Sequence, residues 1–365
     1  MKPKYLYIDD EDRGSLESFV HGFTDIGLID IEIFQLDQFH SFEQVKIELK
    51  RNDFDGLIVD LRLDGTGPNR VEFTATTLAQ DFRTSAASNE FKSFPIILCS
   101  TDAKMRATYD SDKTSHDLFD FKFEKSAPDY EKFSRKFKAL AGGYAWLNEK
   151  KPELNDILGR KDLDNLDDRI LERFDDKSAK SYEYAQFVIK ELFHHPGPLI
   201  KERVLAARLG IDIEESAENW DKLKKEIFNK SKYTGLFSFG WERWWSDLVI
   251  TQFKDFSPLR LAMLNAEERV KILIDSTGIS GLIPSKPITL CNSTEFWTIC
   301  EGYKKPLDPL EGFKVFESVD LKPWQEPKYI SFQASEVERI GRDRGLKPHP
   351  SEKDRIDRIK KSFEK

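Results

Sequence analysis

Short apolar runs and helical spacings alternate through the first 125 residues. Residues 5–8, 56–59, 95–99 and 119–123 are apolar-rich runs bounded by polar positions, while Ile29, Ile31 and Ile33 alternate with Asp30 and Glu32. Runs of about 4 to 8 apolar residues separated by helices predict buried parallel strands, and the alternating segment 29–36 predicts a strand nearer the sheet edge. Between them Leu16, Phe19, Val20 and Phe23 repeat at helical spacing, as do Phe42, Val45, Ile47 and Leu49. Ser41 followed by Gln44 is an N-cap signature for the second of these helices.

The pattern changes beyond residue 129. A last helix of the first region is expected over 129–141, ending at the Gly142-Gly143 pair, so domain boundaries are placed at 1–142, a helical linker at 143–180, and a C-terminal region at 181–365. Leu154, Ile157, Leu158, Leu163, Leu166, Ile170 and Leu171 keep helical spacing through the linker. Helices are also expected over 183–193, 199–209 and 212–228, broken by Pro196, Pro198 and Gly210. The tail from Ser335 reads as two charged helices separated by Gly345, Pro348 and Pro350, with Ser351 as N-cap.

Composition and charge sharpen this division. The 365 residues, 39% hydrophobic and 33% charged, suit two globular domains. Residues 1–149 carry 19 Lys and Arg against 27 Asp and Glu, a balance of −8 that equals the net charge of the whole chain, so the remainder is neutral. An acidic first domain disfavours nucleic acid as its partner. No apolar run approaches the roughly 20 residues of a bilayer span, the N-terminus enters a strand, and the three cysteines lack zinc spacing, so a cytoplasmic protein without membrane contact is expected.

Parallel sheets bind ligands outside the carboxyl ends of their strands. Here those ends carry Asp9 and Asp10, Asp60, Ser100, and Lys125. Three carboxylates, a hydroxyl and an ammonium should therefore converge, a set suited to a hard divalent cation and a phosphoryl group.

An acidic pair, an Asp, a Ser or Thr and a Lys at the ends of successive strands resembles the receiver domain of bacterial response regulators over about residues 1–142. The resemblance implies a five-stranded parallel sheet of flavodoxin-like topology, followed by a C-terminal region expected to be mainly α-helical α+β. It makes Asp60 the phosphoacceptor from a histidine kinase. It makes Asp9, Asp10, Asp60 and the backbone carbonyl of Arg62 the ligands of Mg2+, and Ser100 and Lys125 the groups that hold the phosphoryl oxygens. Ser126 stands where that family usually has Pro. Lys122 stands at the aromatic switch position, flanked by Phe121 and Phe123, and a one-residue shift would restore an aromatic there. The stretches 64–69 and 85–89 read as additional loop.

The C-terminal region resembles no family. Residues 199–229 have a helix-turn-helix rhythm, but Glu214, Glu215, Glu218, Asp221 and Glu226 would repel phosphates unless Lys222, Lys224 and Lys225 form a separate face. Tyr233, Trp241, Trp244 and Trp245 form either an aromatic platform for a ligand or part of a core, and the core is the commoner use. His194-His195 lacks a Glu at metal-ligand spacing, and no catalytic motif occurs after residue 150. The reading favoured is a two-component response regulator whose C-terminal region engages a protein partner. The alternatives are a pseudo-receiver that binds protein without turnover, in a kinase-linked defence operon for instance, and a DNA-binding regulator.

Overall fold

A computed structural model describes residues 2–363 except His40, Thr66, 102–116, Ala127, Lys151 and 175–178. Thr66 in the first extra loop, and Lys151 with 175–178 in the expected linker, thus lie outside the described residues. The chain forms two compact units that interleave in sequence: Met1–Lys161, Leu171–Ile189 and Thr234–Trp241 in one, Asp162–Ile170, Lys190–Tyr233 and Glu242–Lys365 in the other.

The first unit is built on five parallel strands, β1 (Lys4–Ile8), β2 (Asp30–Phe34), β3 (Gly56–Asp60), β4 (Ile96–Ser100) and β5 (Phe121–Glu124), in spatial order 2-1-3-4-5. This is a flavodoxin-like α/β arrangement, with the alternating segment β2 at one edge. Successive side chains of a strand point to opposite faces. Leu6, Ile8, Leu57, Val59, Ile96 and Leu98 therefore face Val45 and Leu49 of α2 (Phe42–Arg51) and Leu78 and Phe82 of α3 (Ala75–Ala87). Tyr5, Tyr7 and Phe123 face Phe19 and Phe23 of α1 (Arg13–Thr24) and Phe137 of α4 (Tyr130–Glu149). Asp12, Ser41, Thr74 and Asp129 cap these four helices by accepting a backbone N–H, the Ser41–Gln44 pair among them.

Two expectations need correction. Helix α4 does not stop at Gly142-Gly143 but continues to Glu149, because Gly143 serves packing: a Cβ there would lie 2.3 Å from Phe237. Ser85, Ala86 and Ala87 are not loop but the last turn of α3, with Ser85 and Ala86 buried.

A buried polar hub crosses this unit. The Asp120 carboxylate accepts from Arg83 Nη2 (2.8 Å), Tyr144 Oη (2.7 Å), Gln186 Nε2 (2.8 Å) and the backbone N–H of Ile96 (2.8 Å), while Arg83 also donates to the carbonyls of Phe94 and Leu118. Four of the carboxylate's lone-pair directions are thereby used, which makes burial of the charge tolerable.

In the second unit, β6 (Leu199–Ile200) pairs antiparallel with β7 (Trp244–Trp245), flanked by α5 (Glu202–Leu209), α6 (Ile213–Glu226), α7 (Ser246–Lys254) and α8 (Ala266–Thr277) around one apolar core. Arg208 and Arg269 are fully buried within it. Arg208 makes a two-pronged pair with Glu326, and Arg269 donates to the carbonyls of Leu261, Arg208 and Phe296. A second core joins the antiparallel pair β8 (Gly312–Lys314) and β9 (Tyr329–Ser331) to α9 (Lys353–Phe363) through Phe313, Ile330 and Ile356. The two tail helices become one: the segment before Gly345 forms only short turns, and His349, not Ser351, accepts the capping N–H. No helix is long and apolar enough to cross a membrane among the described residues.

Candidate functional site

The carboxyl ends of β1 and β3 bring Asp9, Asp10 and Asp60 together, each buried, with oxygens that all lie within 4.8 Å of one another. Parallel pairing in register causes this. Ile8 lies beside Val59, so Asp9, just after β1, and Asp60, the last residue of β3, emerge at one edge. Lys125, just past β5, reaches across with Nζ 2.8 Å from Asp9 Oδ2 and 3.2 Å from Glu11 Oε1. Burial works against its ammonium, yet Asp9 beside it holds the pKa above the usual lysine range. Three buried carboxylates facing this ammonium leave a local excess of negative charge, the condition that a divalent cation relieves.

Ser100 ends β4 with its hydroxyl fully buried and without a hydrogen-bond partner among the described residues, while its carbonyl accepts from the Lys125 N–H at 2.9 Å. An orphaned buried hydroxyl costs free energy unless something arrives to bond it. Arg62 donates its backbone N–H to Asp60 Oδ2 at 2.9 Å and turns its side chain to Asp64.

The sequence did not single out the loop that closes the site. Gly67 donates its N–H to Asp10 Oδ2 (2.9 Å), Asn69 donates its backbone N–H to the Asp10 carbonyl (3.0 Å), and Asn69 Nδ2 donates to the Glu11 carbonyl (2.7 Å). A Cβ on Gly67 would lie 2.0 Å from the Asp10 carbonyl oxygen. One on Gly65 would lie 2.5 Å from Asp10 Oδ2 and 3.2 Å from the Arg62 carbonyl oxygen. The glycines of 64–69 thus do more than turn the chain, because they let backbone close on Asp10 while keeping the Arg62 carbonyl beside its carboxylate. Tyr7, donating to Asp9 Oδ2, is the other contributor not foreseen, since a Tyr inside an apolar strand carries no signal of its own.

At the switch position, Lys122 is exposed, whereas Phe123 is buried against Phe19, Phe133 and Phe137. Phe121 and Phe123 share the face turned to α4, opposite Lys122. Phe121 instead meets Trp241 edge-on at 6.1 Å, with the Lys136 ammonium 4.2 Å from the Phe121 ring centre.

The four aromatics considered as one platform separate: Trp241 belongs to the first unit, and Tyr233, Trp244 and Trp245 to the second. All four are buried, so they present core rather than a ligand surface. In the helix-turn-helix segment, Lys224 is committed to Glu202 and Asp221, and Lys222 and Lys225 lie among Glu218, Asp221 and Glu226. They make no separate basic face.

Fold and site together define a doubly wound α/β domain with a three-carboxylate, one-lysine centre at its strand ends. No protein-family model matches the chain, and no curated protein matches it significantly.

Proposed function

We propose that the first unit is a response-regulator receiver and that Asp60 accepts a phosphoryl group from the phosphohistidine of a histidine kinase. The observation that carries this is the buried Ser100 hydroxyl, without a hydrogen-bond partner among the described residues, at the strand ends that also carry three clustered carboxylates and Lys125. A carboxylate oxygen of Asp60 attacks phosphorus, the P–O bond forms as the P–N bond breaks, and the imidazole leaves with the electron pair. The backbone N–H of Arg62 holds Asp60 for this approach. Lys125 moves from Asp9 toward the phosphoryl oxygens, and Ser100 donates its hydroxyl to one of them. Asp9, Asp10, Asp60 and the Arg62 carbonyl suit Mg2+, which when bound would neutralise charge on carboxylates and phosphoryl oxygens alike.

In this reading the protein is a cytoplasmic signalling component whose C-terminal region, a mainly helical α+β module, engages a protein partner according to the state of Asp60. Nucleic acid is the less favoured partner, given the mixed charges around Lys222 and Lys225. The test is incubation of the full chain with phosphoramidate and Mg2+, followed by intact-mass measurement. One acid-stable, base-labile phosphoryl group is expected, absent in Asp60→Asn. No uptake by the wild-type chain, from phosphoramidate or from a kinase, would favour a pseudo-receiver that binds protein without turnover.

A further inference from the structure

His194 and His195 follow a π-helical turn (Phe187–Leu192) and precede Pro196, and the fold supplies what their sequence neighbourhood lacks. Glu317, beyond β8, places both carboxylate oxygens 2.8 Å from His195 Nε2. Donor atoms of His194, His195 and Glu317 all lie within 4.8 Å of one another, and the two imidazole rings sit 4.9 Å apart at 67°.

Backbone contacts hold the three residues in place. The Pro196 carbonyl accepts from the Glu326 N–H at 2.8 Å. Gly197 passes so close to Trp324 that a Cβ would lie 2.3 Å from its carbonyl oxygen, and the Val315 N–H donates to the Lys328 carbonyl at 2.8 Å. The hairpin that carries Glu317 and the loop that carries the histidines are thus fixed to each other.

An ion pair explains only part of the cluster. Lys328 Nζ, 2.9 Å from Glu317 Oε1, already supplies a positive partner for the carboxylate. His195 Nδ1 is buried without a hydrogen-bond partner among the described residues, and the His194 ring is exposed. Two imidazoles and a carboxylate converge with nitrogen donors left over.

We infer that His194, His195 and Glu317 form a binding site for a borderline divalent metal ion of the Zn2+ type, with one coordination position left to water or a small ligand. Imidazole and carboxylate donors suit such an ion, and three protein ligands are the number that leaves a tetrahedral position open. His194 is solvent-exposed, which provides an entry path. Lys328 acts on the carboxylate from outside the ligand set: it orients Glu317, as outer hydrogen bonds to ligating carboxylates do, and its charge opposes the cation. The site is separate from the Asp60 centre and does not depend on that centre's reading.

The experiment is equilibrium dialysis of the full chain against Co2+ or Zn2+ with Mg2+ in excess, since hard oxygen sites take Mg2+ and imidazoles do not. One ion per chain is expected, with a Co2+ absorption spectrum that lacks a thiolate charge-transfer band. His194→Ala, His195→Ala and Glu317→Gln should each weaken binding at least tenfold while far-UV circular dichroism is unchanged. Failure of the wild-type chain to retain one ion overturns the assignment, as does a thiolate band or binding unaffected by the three ligand substitutions.

Discussion

Lys125 and Asp9 stand 116 positions apart in sequence, yet Lys125 Nζ sits 2.8 Å from Asp9 Oδ2. The ammonium is the charge that makes the three-carboxylate cluster tolerable without a metal. Replacing it by Lys125→Met should destabilise the protein by about 1–3 kcal/mol, since breaking a largely buried pair strands the remaining charge. Mg2+ should then raise the thermal midpoint of Lys125→Met more than that of the wild type, and Asp10→Asn should abolish the rise in both. The measurement is the midpoint by calorimetry across a Mg2+ titration. An equal response in both chains would mean that the ion and Lys125 do not balance the same charges.

Gly67 tests how the extra loop serves the same cluster. Its missing side chain is occupied by the Asp10 carbonyl oxygen, which would lie 2.0 Å from a Cβ, and backbone cannot yield as a flexible side-chain tip does. Gly67→Ala should therefore displace the loop, lose the bond to Asp10 Oδ2, and lower Mg2+ affinity about tenfold, on the order of 1.4 kcal/mol. The stability of the unit should change little by comparison, because the loop adds few apolar contacts. Titration calorimetry with Mg2+ and urea unfolding separate the two effects.

Asp120 is the structural counterpart of the acidic site, a buried carboxylate whose partners are all within the fold. Asp120→Asn keeps the shape but leaves Arg83 with an uncompensated buried charge, so a loss of about 3–5 kcal/mol is expected in urea unfolding. A loss below about 1 kcal/mol would show that water reaches Arg83 once the charge is gone.

Much of the first unit was legible because local and global signals agree there. Apolar runs marked β1, β3, β4 and β5, alternation marked the edge strand β2, and strand ends located Asp9, Asp10, Asp60, Ser100 and Lys125. What stayed hidden was long-range. Glu317 meets His195 across 122 positions, and Gly67 meets Asp10 across 57; no spacing rule reports such pairs. Gly142-Gly143 shows the limit at a single position, since a glycine pair that ends helices by propensity is carried through by packing.

That glycine pair gives a prediction with its own control. Gly142 has open space around an added Cβ, so Gly142→Ala should stabilise the protein by about 0.5–1 kcal/mol, the ordinary gain in a helix interior. Gly143→Ala should destabilise it by about 1–3 kcal/mol, because the new methyl would lie 2.3 Å from the Phe237 ring, and Phe237 is already held at φ 65°. Equal effects at the two positions, read from urea midpoints, would mean that the Phe237 contact does not constrain the helix.

Lys201 makes a pH-dependent case. Burial pushes its pKa down to about 8, with Arg243, Lys328 and Lys304 repelling and Glu301 attracting, and the side chain neither caps the helix it precedes nor has an ion-pair partner among the described residues. A lysine whose folded pKa lies below its unfolded value binds fewer protons folded than unfolded between those two values, so this group's contribution makes stability rise with pH from about 8 to about 10.5. Below pH 8 the penalty of the desolvated ammonium is present in full. Lys201→Met should therefore be more stable than the wild type at pH 7, by about 1–3 kcal/mol, and the difference should shrink as pH climbs past 8. Comparing the two chains cancels the titration of groups they share, so the pH course of the difference belongs to Lys201 and the charges around it. A difference that stayed constant from pH 7 to 10 would place the ammonium in contact with water rather than under burial.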